Sequence, residues 1–318
     1  MLEGEEVKIL HICAGWQKWN GAANIARMIM DEQRREGHEV SFATWAKVRE
    51  LRAADEVWIH CGWLPCLWWA ALWGRNVRWM PEACYDPVRL KYHGWKKWLV
   101  GPIERWCLRR CDRIVATCEA EKGWIEKYLG KRCPVVEVTD VKRFFKLTDC
   151  KIDRLTDCDA RDSQSVNPTI RQSVNSSLHI LYLGRRHPLK GLEYLEAAVA
   201  ELNSNPVNPV NPVQKTSTCS PRLEPEFRIV SNAFGEELEK VWAWCDVLVL
   251  PTLSENFGLV VAEALERGKR VITTDGAPAW GDGNDYGGRL IYLKCCREGS
   301  DEERVWLLKN AIEKMQMS

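Results

Sequence analysis

The sequence predicts an α/β protein with two doubly wound, mostly parallel sheets. Its 318 residues suffice for two domains of ordinary size. Short apolar strands alternate with helical segments over residues 1–145 and again over residues 178–318, and such alternation is typical of parallel sheets. Between these blocks, residues 146–177 lose the alternation and are rich in Asp, Ser and Asn. We therefore predict an N-terminal domain over 1–145, a flexible linker over 146–177 and a C-terminal domain over 178–318.

The first block opens with a strand, a loop and a helix. Residues 7–13 are apolar and predict the strand, residues 14–20 the loop, and residues 21–36 an amphipathic helix that ends at Gly37. No Gly-x-Gly-x-x-Gly motif follows the first strand, so the sequence does not support a nicotinamide site there. Short apolar runs predict the further strands of this block at 40–43, 57–61, 77–80, 113–117 and 135–138.

The second block repeats this organisation and carries one insertion. Residues 178–184 predict its first strand, and a helix with an apolar face follows from Leu192. The segment 203–226 contains Asn-Pro-Val three times in succession, and proline at every third position excludes a helix. We interpret it as an extended surface insertion without a chemical role. Further strands are predicted at 227–230, 247–250, 271–273 and 290–293, and a closing helix at 301–315.

Composition argues against several classes of protein. A formal charge of +1 with 28% charged residues gives no global attraction to nucleic acid. The fourteen cysteines include no Cys-x-x-Cys pair, so they indicate buried free thiols in a reducing compartment rather than a zinc site or a disulfide framework. The chain starts with acidic residues, and the apolar stretch 57–73 is short for a membrane span and contains Pro65. These features predict a cytoplasmic protein.

The most informative motif contains two carboxylates, Glu255 and Glu263, between two predicted strands. If a helix begins near Asn256, Glu255 lies at its N-terminal end and Glu263 about two turns further, so both lean toward one side. The amides of Phe257 and Gly258 would then be unpaired helix-start donors, suited to a sugar or phosphate oxygen. Each carboxylate can accept two hydroxyl hydrogen bonds, which suits a polyhydroxy ligand. The alternative is a pair of solvated acids on a surface helix.

A second motif lies upstream, where the strand 178–184 runs into a basic loop with Arg185 and Lys190 and then into a helix. This unit places two cations and a helix start at the carboxyl edge of a sheet, where open α/β sheets bind ligands. Two fixed cations can stabilise an anionic group without a metal ion. On its own, such a loop is often only a solvated turn.

Together these motifs resemble the large family of retaining GT-B glycosyltransferases with a glutamate–seven–glutamate motif (glycosyl transferases group 1), which includes lipopolysaccharide-core and capsule sugar transferases. The resemblance implies the GT-B fold, in which two Rossmann-like doubly wound domains face each other across a cleft. The C-terminal domain would bind the nucleotide-sugar and the N-terminal domain the acceptor. By the same resemblance, Glu255 contacts the donor sugar and Glu263 the ribose hydroxyls. Arg185 and Lys190 neutralise the diphosphate as the bond to the sugar breaks.

The candidate catalytic residues are therefore Arg185, Lys190 and Glu255. In the mechanism usually proposed for this family, the leaving phosphate itself takes the proton from the acceptor hydroxyl, so no enzyme nucleophile is required. Positioning and charge stabilisation then do most of the work, and we expect no metal and no cofactor. The candidate donor-binding residues are Gly21, Asn256, Phe257, Gly258, Leu259 and Glu263. Gly21 stands near the start of the first helix, where the family has a Gly-rich turn.

The acceptor-side candidates are His60 and Glu82. Each stands at or just beyond the end of a predicted strand, in segments that resemble the acceptor-side loops of lipopolysaccharide-core-type transferases. Many relatives carry His-Gly where this chain has Glu82-Ala83, so no catalytic histidine carries over to that position. His60 is either an active-site residue or a capped strand end. Glu82 either orients the sugar or pairs with a neighbouring arginine.

The segment 91–110 mixes cations with indoles, among them Trp95, Trp98 and Trp106. Such a mixture suits an anionic membrane leaflet or a phosphorylated lipid-linked glycan. The alternative is a helix whose Trp side chains face the core while Lys and Arg cover the outside. We favour this core position for each Trp and still expect the basic face to meet acceptor or membrane. No nucleic-acid-binding motif accompanies the patch.

The sequence thus predicts a metal-independent retaining glycosyltransferase of the hexosyltransferase type. It would move a sugar from a nucleotide-sugar to a glycan or lipid-linked glycan acceptor in cell-envelope polysaccharide or lipopolysaccharide assembly. We expect a cytoplasmic location, with peripheral contact at the anionic inner membrane and no nucleic-acid partner. Two rivals stay open: a nucleotide-sugar epimerase of the same fold, and a degenerate, non-catalytic homologue that binds glycan or membrane.

Overall fold

The computed structural model describes residues 6–13, 21–61, 65–92, 94–147, 177–204, 224–231, 233–294 and 296–317. The chain divides into two compact units. The predicted loop 14–20, most of the predicted linker and the Asn-Pro-Val repeats lie outside the described residues. In the described part of the chain, no helix combines the length and the apolar character needed to cross a membrane. The first unit comprises Met1–Phe145, Ser254–Leu259 and Ala277–Asp282, and the second comprises Lys146–Leu253, Val260–Gly276 and Gly283–Ser318.

Within the described residues, the first unit contains a six-stranded parallel sheet in the order β2-β1-β3-β4-β5-β6. Its strands are β1 (Lys8–Ile12), β2 (Glu39–Ala43), β3 (Glu56–His60), β4 (Val77–Met80), β5 (Arg113–Ala116) and β6 (Val135–Val138). Its helices are α1 (Gly21–Arg35), α2 (Val48–Ala53), α3 (Pro65–Trp73), α4 (Pro87–Tyr92), α5 (Gly94–Leu108) and α6 (Glu119–Leu129).

Side chains alternate between the two faces of this sheet, because successive residues of a strand point in opposite directions. Leu10 and Ile12 of β1 belong to the hydrophobic core that α2, α3, α5 and α6 cover. His11 lies between them in sequence and contacts Gln33 of α1. Helices therefore cover both faces, as expected for a doubly wound sheet, and His11 lies on the face that α1 covers.

Among the described residues, the second unit contains a five-stranded parallel sheet in the order β11-β10-β9-β7-β8. One of its cores packs Ile180 and Val249 of the sheet against α7 and α10. Its strands are β7 (His179–Leu183), β8 (Glu226–Val230), β9 (Val247–Leu250), β10 (Arg270–Thr274) and β11 (Leu290–Leu293). Its helices are α7 (Leu192–Ser204), α8 (Glu236–Trp244), α9 (Leu259–Glu266) and α10 (Asp301–Met317).

The predicted fold is confirmed: both blocks are doubly wound parallel α/β structures, as in the GT-B fold. Every strand predicted from an apolar run is observed, with its ends shifted by no more than one residue. Short apolar runs between turn-forming residues are a strong signal for buried parallel strands, because both faces of such a strand are covered.

The core position favoured for the tryptophans of α5 is wrong. Trp95 is 72% exposed, Trp98 83% and Trp106 51%. The opposite side of the helix enters the core through Cys107 and Leu108. Since a helix repeats every 3.6 residues, these two residues and the tryptophans cannot face the same way.

Candidate functional site

Both sheets have a place where the strand order reverses, and open α/β sheets bind ligands at the carboxyl ends of the strands beside such a place. In the second sheet the reversal lies between β7 and β9, since β8 flanks β7 on the other side. In the first sheet it lies between β1 and β3. The loops and side chains at these two edges contain most of the predicted site residues.

Arg185 and Lys190 lie in the loop after β7. Arg185 is exposed and Lys190 is half-buried. Within the described residues, no carboxylate pairs with the Arg185 guanidinium, whereas the adjacent Arg186 donates to Glu196 Oε1 at 3.0 Å. The hydroxyl of the buried Tyr182 donates to the Arg185 carbonyl oxygen at 2.9 Å, which holds the backbone beside this cation. Arg185 therefore presents positive charge to solvent from a fixed backbone.

The loop after β7 is tied to the loop after β9 through backbone atoms. The Leu189 carbonyl oxygen accepts the Leu253 N–H at 2.9 Å and the Thr252 hydroxyl at 3.0 Å. Gly191 has a φ of 61°, and a Cβ at this position would lie 2.1 Å from the Pro251 carbonyl oxygen. Both the left-handed backbone and the close approach exclude a larger residue there. The two loops therefore fix each other.

The loop after β10 joins the same edge. The Thr274 hydroxyl donates to the Thr252 carbonyl oxygen, and the Gly276 N–H donates to Thr274 Oγ1 at 3.3 Å. A Cβ at Gly276 would lie 1.9 Å from the Thr252 carbonyl oxygen. Sequence reasoning missed these three residues, because small residues after a strand are common and carry no signal of their own.

Glu255 lies ahead of α9 and not in its first turn. The helix begins at Leu259, three residues later than the start expected near Asn256. Gly258 adopts a φ of 76°, a left-handed conformation that is incompatible with a helical turn. The expectation that Phe257 and Gly258 form the helix start is therefore wrong. Glu255 Oε1 accepts the backbone N–H of Asn256 at 3.1 Å.

Glu263 lies in the second turn of α9 and is half-buried. Burial raises the pKa of its carboxyl group, and the positive charge of Arg267 opposes that shift. The Arg267 guanidinium bonds to the Glu263 carbonyl oxygen at 3.2 Å and to Glu239 Oε1 at 2.9 Å. A half-buried carboxylate suits neutral donors such as sugar hydroxyls, which bring no charge that must itself be desolvated.

The segment Ser254–Leu259 belongs to the first unit. Gly21 and Leu259 lie together there, since a Cβ at Gly21 would be 3.8 Å from Leu259 Cδ1. Asn256 Oδ1 lies 3.2 Å from the Thr117 hydroxyl. The Phe257 ring is only 1% exposed, so its side chain serves packing and its backbone alone can face a ligand. The structure thus brings together two of the predicted donor-binding residues, Gly21 and Leu259.

The two acceptor-side candidates lie side by side in the first unit. His60 ends β3, Glu82 follows β4, and His60 Nδ1 lies 3.6 Å from Glu82 Oε1. Both atoms are buried, and neither has a hydrogen-bond partner among the described residues. Burial lowers the pKa of His60 to about 3 and raises the pKa of Glu82 well above its ordinary value. Burial therefore disfavours the charged form of both side chains.

Two residues that sequence reasoning missed extend this pair into a chain. His11 Nδ1 lies 2.9 Å from His60 Nε2, and His11 Nε2 lies 2.7 Å from Gln33 Oε1. With the Gln33 oxygen as acceptor, His11 carries its proton on Nε2, and His60 then donates from Nε2 to His11. The lone pair on His60 Nδ1 is left facing Glu82. A histidine inside the apolar strand 7–13 was the available signal.

A turn with two left-handed residues holds Glu82 in place. Glu82 and Ala83 have φ values of 57° and 58°, which cost residues with a Cβ roughly 1–3 kcal/mol each. Glu121 supports the turn, because its carboxylate accepts the Ala83 N–H at 2.5 Å and the Thr117 N–H at 2.7 Å. The neighbouring arginine, Arg89, bonds to the Glu82 carbonyl oxygen at 3.4 Å. The Glu82 carboxyl faces the histidine.

The two doubly wound parallel sheets define the fold as GT-B, and family models match both halves of the chain. Residues 177–292 match the family described as Glycosyl transferases group 1. Residues 42–139 match the Glycosyl transferase 4-like domain. The chain is thus a glycosyltransferase of the GT-B type, with one matched domain in each half. No curated protein matches it.

Solved structures share the fold at low sequence identity. Sucrose-phosphate synthase from Thermosynechococcus elongatus is 14% identical, with a TM-score of 0.62 over 98% of this chain and 89% of that one. WaaG, a glycosyltransferase involved in lipopolysaccharide biosynthesis, is 13% identical, with a TM-score of 0.56 over 97% and 92%. The apo structure of OtsA is 13% identical, with a TM-score of 0.50 over 95% and 72%. At such identity the likeness concerns the fold.

Proposed function

We propose that this protein is a retaining, metal-independent hexosyltransferase. It transfers a sugar from a nucleotide-sugar to a glycan or lipid-linked glycan acceptor. The reaction belongs to the assembly of cell-envelope polysaccharide or lipopolysaccharide. The observation that carries the proposal is the edge of the second sheet. There, backbone-tied loops after β7 and β9 hold Arg185 and Lys190, and the second loop leads into the segment with Glu255 and Glu263. The proposal keeps the cytoplasmic location predicted from the sequence.

The roles follow from charge and solvation. Arg185 and Lys190 stabilise the diphosphate as it leaves, and the fixed backbone beside Arg185 keeps its charge in position before the reaction begins. Glu263 accepts the ribose hydroxyls of the nucleotide, and Glu255 contacts the donor sugar. On the acceptor side, His60 and Glu82 act as neutral hydrogen-bonding groups. None of these roles requires an enzyme nucleophile.

The first test is a thermal-shift screen of the purified protein against UDP-, GDP-, ADP- and dTDP-sugars, with the bare nucleotides as controls. Binding to the folded state raises stability by roughly 2.7 kcal/mol at a ligand concentration of a hundred times Kd. We expect a selective shift with one donor. Glu263→Ala should reduce that shift at equal ligand concentration, whereas Glu266→Ala on the exposed side of the same helix should preserve it. Equal shifts in both variants would remove the ribose assignment.

A transfer assay then separates the proposal from its rivals. With the identified donor and candidate acceptors, we expect acceptor-dependent product whose anomeric configuration matches that of the donor sugar, with or without EDTA. An altered sugar nucleotide that accumulates without any acceptor would support the epimerase. Donor binding without turnover on any acceptor would support the degenerate homologue.

A further inference from the structure

The exposed side of α5 carries a stripe of apolar side chains. They recur at intervals of three and four residues, which places them on one face of the helix. At 3.6 residues per turn they span an arc of about 140°. We call this stripe the indole face, and it consists of Trp95, Trp98, Leu99, Pro102, Ile103 and Trp106.

The indole face leaves large apolar side chains in solvent. Besides its tryptophans, Leu99 is 64% exposed and Ile103 is 54% exposed. Monomeric proteins in water rarely expose contiguous apolar patches beyond a few hundred Å² unless the patch binds something. The helix cannot rotate to bury this face, because Cys107 and Leu108 on its other side are already part of the core.

The segment that carries the indole face is rich in basic residues. Between residues 88 and 110 the sequence has a single acid, Glu104, which is only 1% exposed and accepts the Tyr128 hydroxyl at 3.0 Å. The Arg110 guanidinium lies 4.7 Å from the centroid of the Trp106 ring, which places a cation next to an exposed indole. The basic residues of this segment are Arg89, Lys91, Lys96, Lys97, Arg105, Arg109 and Arg110.

This chemistry distinguishes between the partners that would cover such a face. A second copy of the chain, in a twofold contact, would bring the same cations together, and like charges oppose that association. A nucleic acid would attract the cations and its bases could stack on the indoles, but neither its phosphates nor its bases match the aliphatic side chains Leu99, Pro102 and Ile103. An anionic bilayer meets both needs, because indoles partition among the headgroups and Lys and Arg meet the lipid phosphates.

We propose that the indole face docks the protein on an anionic lipid bilayer, with α5 lying in the plane of the interface. This inference goes beyond sugar transfer, and it holds whichever donor and acceptor the protein uses. Docking of this kind depends on both apolar burial and charge, so it should weaken when either is removed. High salt tests the charge, since the Debye length falls from about 10 Å at 0.1 M to about 3 Å at 1 M.

Sedimentation with vesicles tests the proposal. We expect the full chain to pellet with vesicles of phosphatidylglycerol and phosphatidylcholine, to stay in solution with phosphatidylcholine alone, and to release at high salt. Trp95→Ser/Trp98→Ser should lower the partition coefficient at least tenfold. The matched control is Trp306→Ser, which removes a tryptophan that is 62% exposed on α10 and should bind like the wild type. Melting temperatures confirm that each variant is folded.

A second variant keeps the test decisive if the double tryptophan variant does not fold. Lys91→Glu/Arg110→Glu reverses two exposed charges and keeps every tryptophan of the indole face, and it should also lose binding to the anionic vesicles. The proposal fails if the wild type does not pellet with anionic vesicles, or if both variants bind as it does. It also fails if light scattering shows a dimer that the tryptophan variant dissociates, since a second copy would then cover the face.

Discussion

The two sheets reverse their strand order at matching places, but they equip those places differently. In the first sheet, side chains from β1 and β3 and from the turn after β4 form a buried chain of neutral groups that ends at His60 and Glu82. In the second sheet, the loops after β7, β9 and β10 are fastened through backbone atoms, and they leave Arg185 exposed and Lys190 half-buried. The first edge buries its titratable side chains, whereas the second presents a cation to solvent.

Solvation explains this difference. A cation that must meet a diphosphate needs a fixed position and access to its ligand, so the protein fixes the backbone and leaves the side chain near solvent. A buried ionised group would cost several kcal/mol without a partner, so the groups of the first edge are held neutral. In the proposed mechanism, the second edge therefore acts through charge, and the first acts through hydrogen bonds of neutral groups. The predictions below test each half of this contrast.

The largest effect is expected on kcat when Lys190 of the second edge is replaced. Lys190→Ala should lower kcat roughly 100- to 1,000-fold, because removing one preformed charge contact to a developing anion typically costs about 2.7–4 kcal/mol of transition-state stabilisation. Donor affinity should change less, since the charge on the leaving diphosphate develops mainly in the transition state. Steady-state kinetics and a direct binding titration give the two quantities separately.

Arg186→Ala is the matched control for this prediction. It removes a neighbouring cation that is already paired with Glu196, and it should keep kcat within a few-fold of the wild type. If Lys190→Ala turned over at the full rate, Lys190 would have no part in the reaction, and the contrast between the two edges would have to rest on Arg185.

The second prediction concerns the backbone that holds the charged edge. Gly191→Ala should lower the free energy of unfolding by roughly 2 kcal/mol or more, because it places a Cβ at a left-handed residue and 2.1 Å from the Pro251 carbonyl oxygen. Urea denaturation gives the value. Transfer activity should fall with it, since the loops after β7 and β9 cannot keep their contact.

Gly123→Ala is the opposite case in the same chain. Gly123 lies inside α6 with no atom within 4 Å of a built Cβ, so alanine there should raise the free energy of unfolding by about 0.5–1 kcal/mol. If Gly191→Ala lowers the free energy of unfolding and Gly123→Ala raises it, the charged edge depends on its backbone contacts. Equal effects would mean that the approach at Gly191 relaxes easily.

The fold could be predicted from the sequence because parallel strands buried on both faces are short apolar runs, and helices show their period. The start of α9 could not be predicted from the sequence. Residues 256–258 continue into an apolar run that looks helical, and nothing in that run reveals the left-handed conformation of Gly258. The tryptophans of α5 were misplaced for a related reason: a helix with apolar residues on more than one side does not reveal which side is covered.

The candidate site was predicted unevenly for the same physical reason. Arg185, Lys190 and Glu263 lie in local motifs, where strand, turn and helix follow one another in sequence. The chain of His11, Gln33, His60 and Glu82 joins four separate elements, so its spacing along the sequence carries no signal. His60 and Glu82 were found through resemblance. That they face each other is known only from the structure.

The smallest effect tests whether the first edge is neutral. Burial raises the pKa of Glu82, so between about pH 4.5 and its folded pKa the native state keeps a proton that the unfolded state releases. The free energy of unfolding should therefore fall as pH rises, by about 1.4 kcal/mol per pH unit from this group. Glu82→Gln keeps a neutral side chain of similar size and should remove this contribution, so the pH dependence of the variant should differ from that of the wild type by about this slope, as measured by urea denaturation across the pH range. Glu237→Gln on the exposed side of α8 should leave the slope unchanged. If Glu82→Gln also leaves it unchanged, Glu82 is ionised in the native protein, and both edges carry charge.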